Sequence, residues 1–162
     1  MSSFHESYLG RLRQEVGNRL LLMPGARVVI ERQDGAVLLE RRSDFGVWGI
    51  PGGCPEEGED MVSAVVRETA EETGLSIVDP KPFGYASDPS FETWVYPNGH
   101  ACQYFSLMFY ATAFEGTLGG HDGESLELGW FKPDDLPEML PNMRRSVEAY
   151  GRFKQTGEFQ LI

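Results

Sequence analysis

Cysteine is scarce: Cys54 and Cys102 are the two in a chain of 162 residues. They share no metal-ligand spacing and are too few for a disulfide framework, so two reduced thiols are expected. No apolar run nears the roughly 20 residues that span a bilayer, which excludes a helical membrane protein. Residues 1–10 hold no basic cluster followed by an apolar stretch, so no signal peptide is read and the cytoplasm is the expected compartment. Positive charge is short as well: 14 Lys and Arg against 25 Asp and Glu leave a formal net charge of −11. With no basic stripe to displace phosphate counterions, such a surface repels bulk nucleic acid and anionic membranes. It can still take a polyanion if divalent metal ions sit between the two sets of charges.

What is present fits one soluble domain over residues 1–162: 41% hydrophobic and 12% aromatic residues supply an ordinary core. Residues 1–20 read as an amphipathic lead-in helix, with Tyr8, Leu9, Leu12, Val16 and Leu20 near helical spacing. Apolar runs at 26–31 and 36–41 flank an Asp34-Gly35 turn and predict a β-hairpin. Residues 45–50 read as a short aromatic strand. The pattern turns helical over 59–73, and Gly74 supplies a stop. Strands are predicted at 75–78, 83–86, 103–114 and 126–131, the third as a central strand. A Pro- and Gly-containing loop spans 87–100, and a final helix runs from about 142 to 154. Helices interleaved with a mixed set of strands predict a layered α/β fold.

Chemistry concentrates in residues 52–75, GGCPEEGEDMVSAVVRETAEETGL. At about 100° per residue, Val62, Val65, Val66 and Thr69 form one apolar stripe. Glu68, Glu71 and Glu72, at i, i+3 and i+4, cluster on a different face. Like charges at this spacing repel, so stability alone does not explain them. They read either as a solvated acidic face or as oxygen ligands for a hard divalent cation, of which Mg²⁺ suits a site completed by substrate phosphates. Arg67 beside them can hold one carboxylate in place.

The spacing of Gly53, Glu59, Arg67, Glu68, Glu71, Glu72, Gly74 and Leu75 resembles the Nudix box, the signature of the Nudix hydrolases. Thr69 departs from it, standing where an aliphatic residue is usual. The flanks agree: Trp48 to Gly53 resembles the family's strand and turn before the box, and Leu128 to Phe131 its late strand. The resemblance covers most of residues 24–140.

The resemblance implies a Nudix-type α/β/α sandwich with a mixed sheet, the box forming loop, helix and loop. It implies that Glu71 and Glu72 ligate metal first, joined by Glu68 and the carbonyl of Gly52, with Mg²⁺ as the cofactor and Mn²⁺ as a substitute. Glu59 and Arg67 resemble the pair that orients the helix carboxylates. A further base or ligand resembles Glu124, with Glu127 the competitor. Arg42 resembles a phosphate-contacting arginine, and alternation along a strand allows only one of Arg41 and Arg42 to reach substrate. Phe91, Trp94 and Tyr96 lie where the family selects substrate; they either stack on a nucleobase or pin the loop to the core. His100 and His121 read as surface histidines by default.

The expected activity is hydrolysis of the diphosphate linkage in a small nucleotide, with ADP-ribose or a nucleotide sugar first. Nucleoside triphosphate pyrophosphohydrolysis is the alternative, and Pro89 gives only weak support to ADP-ribose. A non-catalytic sensor of the same fold is disfavoured, because every charged box position is filled. Cap removal from RNA is disfavoured by the missing basic patch. The resemblance is compatible with a homodimer.

Overall fold

The computed structural model describes residues 4–120, 123 and 125–162. A 3-10 turn at Phe4–Glu6 precedes α1 (Tyr8–Val16), β1 (Leu21–Ile30), β2 (Val37–Arg42), β3 (Trp48–Gly49), β4 (Gly52–Gly53) and α2 (Met61–Thr73). Then follow β5 (Leu75–Val78), β6 (Lys81–Ala86), α3 (Pro89–Glu92), β7 (Thr93–Val95), β8 (Ala101–Ala111), β9 (Ala113–Gly116), β10 (Ser125–Phe131), α4 (Pro141–Thr156) and β11 (Gln160–Leu161). Among the described residues, no helix is long and apolar enough to cross a membrane.

The main sheet runs β11-β6-β8-β1-β4, with β7 also paired to β8. Its centre is the parallel pair β1 and β8, in register from Leu21 with Cys102 to Ile30 with Ala111. Parallel strands are buried on both faces and therefore read as continuous apolar runs. Along β1, Ala26, Val28 and Ile30 pack with Val65, Leu75 and Phe109 on the α2 side. Val29 packs with Phe83, Met108, Val147 and Tyr150 on the α4 side. A second sheet, β10-β2-β3, and the ribbon β5-β9 complete the layers. The result is the expected α/β/α sandwich around a mixed sheet.

Four sequence expectations are corrected here. The lead-in helix stops at Val16, capped by Gly17, and residues from Leu21 onward are strand. Its inward face is Gly10 and Arg13, while Tyr8 and Leu20 are exposed. The predicted hairpin does not form as a ladder: the strands around Asp34-Gly35 meet only at the bridge between Glu31 and Val37. Each has a better partner elsewhere, β1 in β8 and β2 in β10. The aromatic strand at 45–50 shrinks to Trp48–Gly49, and the 87–100 loop contains α3 and β7.

Candidate active site

Helix α2 builds the acidic end of the site. Asp60 caps its start by accepting the Ser63 amide hydrogen bond at 2.7 Å, and Gly74 ends it in the left-handed region. Ala64, Val65, Thr69 and Thr73 are its buried apolar-side residues, whereas Val62 is exposed and Val66 only half-buried. The stripe therefore lies further round than the wheel placed it. Glu72 follows Val65 and Thr69 at helical spacing and is drawn under the sheet with them. Thr69 satisfies its hydroxyl by donating to the Val65 carbonyl at 2.7 Å, so a polar atom is tolerated in full burial.

The three carboxylates form a gradient of depth. Glu72 is 2% exposed as a whole residue, and the side chains of Glu68 and Glu71 are 18% and 42% exposed. Glu72 Oε2 accepts the amide of Gly52 at 2.9 Å, which ties the helix to β4. At Gly53 a Cβ would lie 2.4 Å from the Glu68 carboxyl carbon, so any larger residue there would push that carboxylate aside. Arg67 organises the rest. Its Nε and one terminal nitrogen grip both oxygens of Glu59, at 2.7 and 2.9 Å. Its other terminal nitrogen donates to Glu68 at 2.9 Å and Glu71 at 3.3 Å, and the Cys54 carbonyl accepts a further bond at 3.1 Å. The guanidinium beside Glu59 holds that carboxyl below the usual range.

Sequence reasoning missed Glu40. It ends the apolar run of β2, where a carboxylate reads as a solvated strand end, yet it is 1% exposed. The Ser125 hydroxyl donates to Glu40 Oε2 at 2.5 Å, and an Arg42 nitrogen lies 3.6 Å from Oε1. Burial first, then the charges of Glu40 and Glu68, push the Glu72 carboxyl well above its usual value. Only the pairing of β2 with β10 and β3 brings Glu40 to the site, so no local pattern could have announced it.

A cleft of about 690 Å³ joins these residues to an aromatic wall. Arg42 lines it, with Asp44 accepting two hydrogen bonds from the guanidinium at 3.1 and 2.8 Å. Arg41 lies outside the lining and half-exposed, 3.7 Å from Glu127 on β10. Trp94 and Tyr96 line the cleft around Phe45, at ring distances of 5.5 and 5.4 Å, and the Tyr96 hydroxyl meets that of Tyr104 at 2.7 Å. Phe91 does not join them; its ring lies under the Arg145 guanidinium at 3.9 Å, on the α4 side. Glu124 and His121 lie outside the described residues, and His100 lines the cleft beside α1.

The site thus gathers hard oxygen donors at one end, a guanidinium in the middle and aromatic rings at the other. Among the described residues, no group of three acidic, histidine or cysteine side chains converges into a preformed cation cage, because Arg67 draws Glu68 and Glu71 to itself.

Comparison with known proteins identifies the family. The family model for the NUDIX domain matches residues 21–150. An ADP-ribose pyrophosphatase from Methanocaldococcus jannaschii is 31% identical over 140 residues, which cover 84% of this chain and 78% of that one. An RNA pyrophosphohydrolase from Erythrobacter litoralis is 28% identical, covering 75% of this chain and 83% of its own. The crystal structure of a MutT NUDIX hydrolase from Burkholderia pseudomallei superposes with a TM-score of 0.66 at 27% identity, covering 80% of this chain and 98% of that one. Members of this family generally use divalent metal ions and act on small nucleotides. On these matches, the chain belongs to the NUDIX domain family and is a Nudix-type pyrophosphohydrolase.

Proposed function

We propose that the chain hydrolyses the diphosphate linkage of a nucleoside diphosphate derivative, with ADP-ribose or a nucleotide sugar as the first substrates to test. The observation that carries this reading is one cleft with a buried carboxylate, Glu72, at its acidic end and Trp94 and Tyr96 at the other. Such a cleft suits a molecule with phosphates at one end and a planar group at the other. The ADP-ribose pyrophosphatase among its relatives supports the same choice.

The residues present fit a divalent cation. A carboxyl driven far up by burial and by two like charges is a group that gains from a cation, and its acidic neighbours offer oxygen donors. Glu68, Glu71, Glu72 and the carbonyl of Gly52 are the proposed ligands, with Mg²⁺ first and Mn²⁺ as a substitute. When bound, the ion supplies charge neutralisation of the diphosphate and acidification of water. The chain's own groups do the rest. Glu72, fixed by the Gly52 amide, orients the attacking water, with Glu124 proposed as a further base. Glu59 and Arg67 hold Glu68 and Glu71 in place. Arg42, braced by Asp44, meets phosphate charge, and Trp94 and Tyr96 take the planar group. Arg41 and Phe91, which lie outside the cleft lining, are not carried into this proposal.

A panel of nucleoside diphosphate derivatives and nucleoside triphosphates, incubated with the protein and Mg²⁺, tests the reading. Phosphate-containing products are expected from the former. Glu72→Gln is expected to lower turnover on the order of a hundredfold or more while circular dichroism stays unchanged. Release of pyrophosphate from triphosphates alone would replace the substrate assignment. Full activity in the variant would remove the role given to Glu72.

A further inference from the structure

The N-terminal segment lines the same cleft. Phe4, Ser7, Leu9 and Arg13 share it with Glu72 and Tyr96. This segment precedes residue 21, where the family match begins. It is not a loose tail, because it is pinned on both sides of the opening. On the acidic side, the Tyr8 amide donates to Glu56 Oε2 at 2.8 Å and Arg11 pairs with Glu57 at 2.7 Å. On the other side, the Phe4 ring stacks on His100 at 6.0 Å. There too, the Arg13 guanidinium donates to the Ala101 carbonyl at 2.5 Å and lies 3.1 Å from Cys102 Sγ.

Arg13 is the anchor. It is 5% exposed, and its terminal nitrogens also donate to the carbonyls of Gly17 and Arg19, at 3.0 and 2.6 Å. A buried guanidinium whose terminal nitrogens donate to backbone carbonyls of three separate residues fixes the end of α1 against the start of β8. Gly10 fixes the other end. A Cβ at that position would lie 1.8 Å from the Phe4 carbonyl oxygen, so only glycine lets the 3-10 turn fold back onto the helix. The half-buried Leu9 and the turn at Phe4 are thereby held in one place at the edge of the cavity.

The aromatic part of the same lining has an unmet donor. The indole Nε1 of Trp94 is buried and has no hydrogen-bond partner. Buried donors of this kind carry a cost, and a small shift of the ring that brings the donor to a ligand acceptor removes it. A planar group that carries acceptor atoms, and that fits between an aliphatic side chain and aromatic rings, is a nucleobase.

We infer that α1 is a specificity wall of the active site, and that Leu9 and Trp94 together bound the subsite that takes the nucleobase of the substrate. The inference rests on the proposed function for the identity of the ligand, but its test does not need turnover. Binding of AMP to the full chain is measured by titration calorimetry. Leu9→Trp, which fills the edge of the cavity, is expected to weaken AMP binding at least about tenfold, whereas Leu9→Met, which keeps the volume, retains it. Leu12→Ala removes bulk from the same helix at a position outside the cleft lining. It lowers the melting temperature and leaves AMP affinity within about twofold. Unchanged binding in Leu9→Trp, equal weakening in Leu12→Ala, or no AMP binding by the unaltered chain overturns the inference. Hydrolysis of the substrate panel by that same chain would leave the hydrolase reading standing, so the two failures are distinct.

Discussion

Arg67 carries more of the site than any other single side chain, since it touches Glu59, Glu68, Glu71 and the Cys54 carbonyl. Its grip on Glu59 has a pH consequence. Glu59 is held below the usual carboxylate range by that hydrogen bond, so the folded state binds its proton more weakly than the unfolded chain. The stability this supplies is fully present above the ordinary carboxylate value and is lost as pH falls through the lowered one. Urea denaturation between pH 6 and pH 3 should show this loss, and Glu59→Gln should flatten it. An unchanged slope in that variant would mean the pair adds nothing to folding. At this scale the sequence was legible where a residue sits in a fixed local pattern, as Glu59 and Arg67 do. It was illegible for Glu40, which is indistinguishable by local pattern from the exposed Arg41 beside it, and is buried only by strands distant in sequence.

The elements show the same division. Helix α2, with Asp60 before it and Gly74 after it, could be placed to within two residues because capping and periodicity are local chemistry. The hairpin expectation failed because Asp34-Gly35 specifies a turn and not which strands will pair. A ten-position parallel register with β8 outcompeted the neighbour in sequence. Helix α3 was hidden by its length of four residues, yet it carries the best-buried ion pair of those seen. Glu92 takes two hydrogen bonds from Arg27 on β1, at 3.1 and 2.7 Å, and one from Asn142 on α4 at 3.3 Å. Removing one partner of such a pair leaves a buried charge uncompensated and costs about 3–5 kcal/mol. Glu92→Ala should therefore lose stability of that order in urea. Arg145→Ala, which breaks a contact with Phe91 at a more open position, should lose about 1 kcal/mol or less. Equal losses would show that α3 is held by its aromatic contact and not by its buried carboxylate.

For the whole molecule, a net charge of −11 and a mixed sheet whose acidic end faces a cleft raise the same question twice. Self-repulsion destabilises an acidic chain, and the crowding of Glu40, Glu68 and Glu72 concentrates that repulsion in a largely buried place where water screens it poorly. A divalent cation binding the folded site and not the unfolded chain would stabilise by about 2.7 kcal/mol at a concentration 100 times its dissociation constant. Surface screening by salt would act differently, since it depends on ionic strength and not on which cation is added. The melting temperature should accordingly rise in millimolar Mg²⁺ by more than in NaCl of equal ionic strength, and return on adding EDTA. In Glu72→Gln the carboxyl with the strongest conflict is already neutral, so that variant should melt higher than the unaltered chain without metal and gain less from Mg²⁺. A gain from Mg²⁺ that matched NaCl, or one that survived intact in Glu72→Gln, would place the cation on the general surface and take it away from α2.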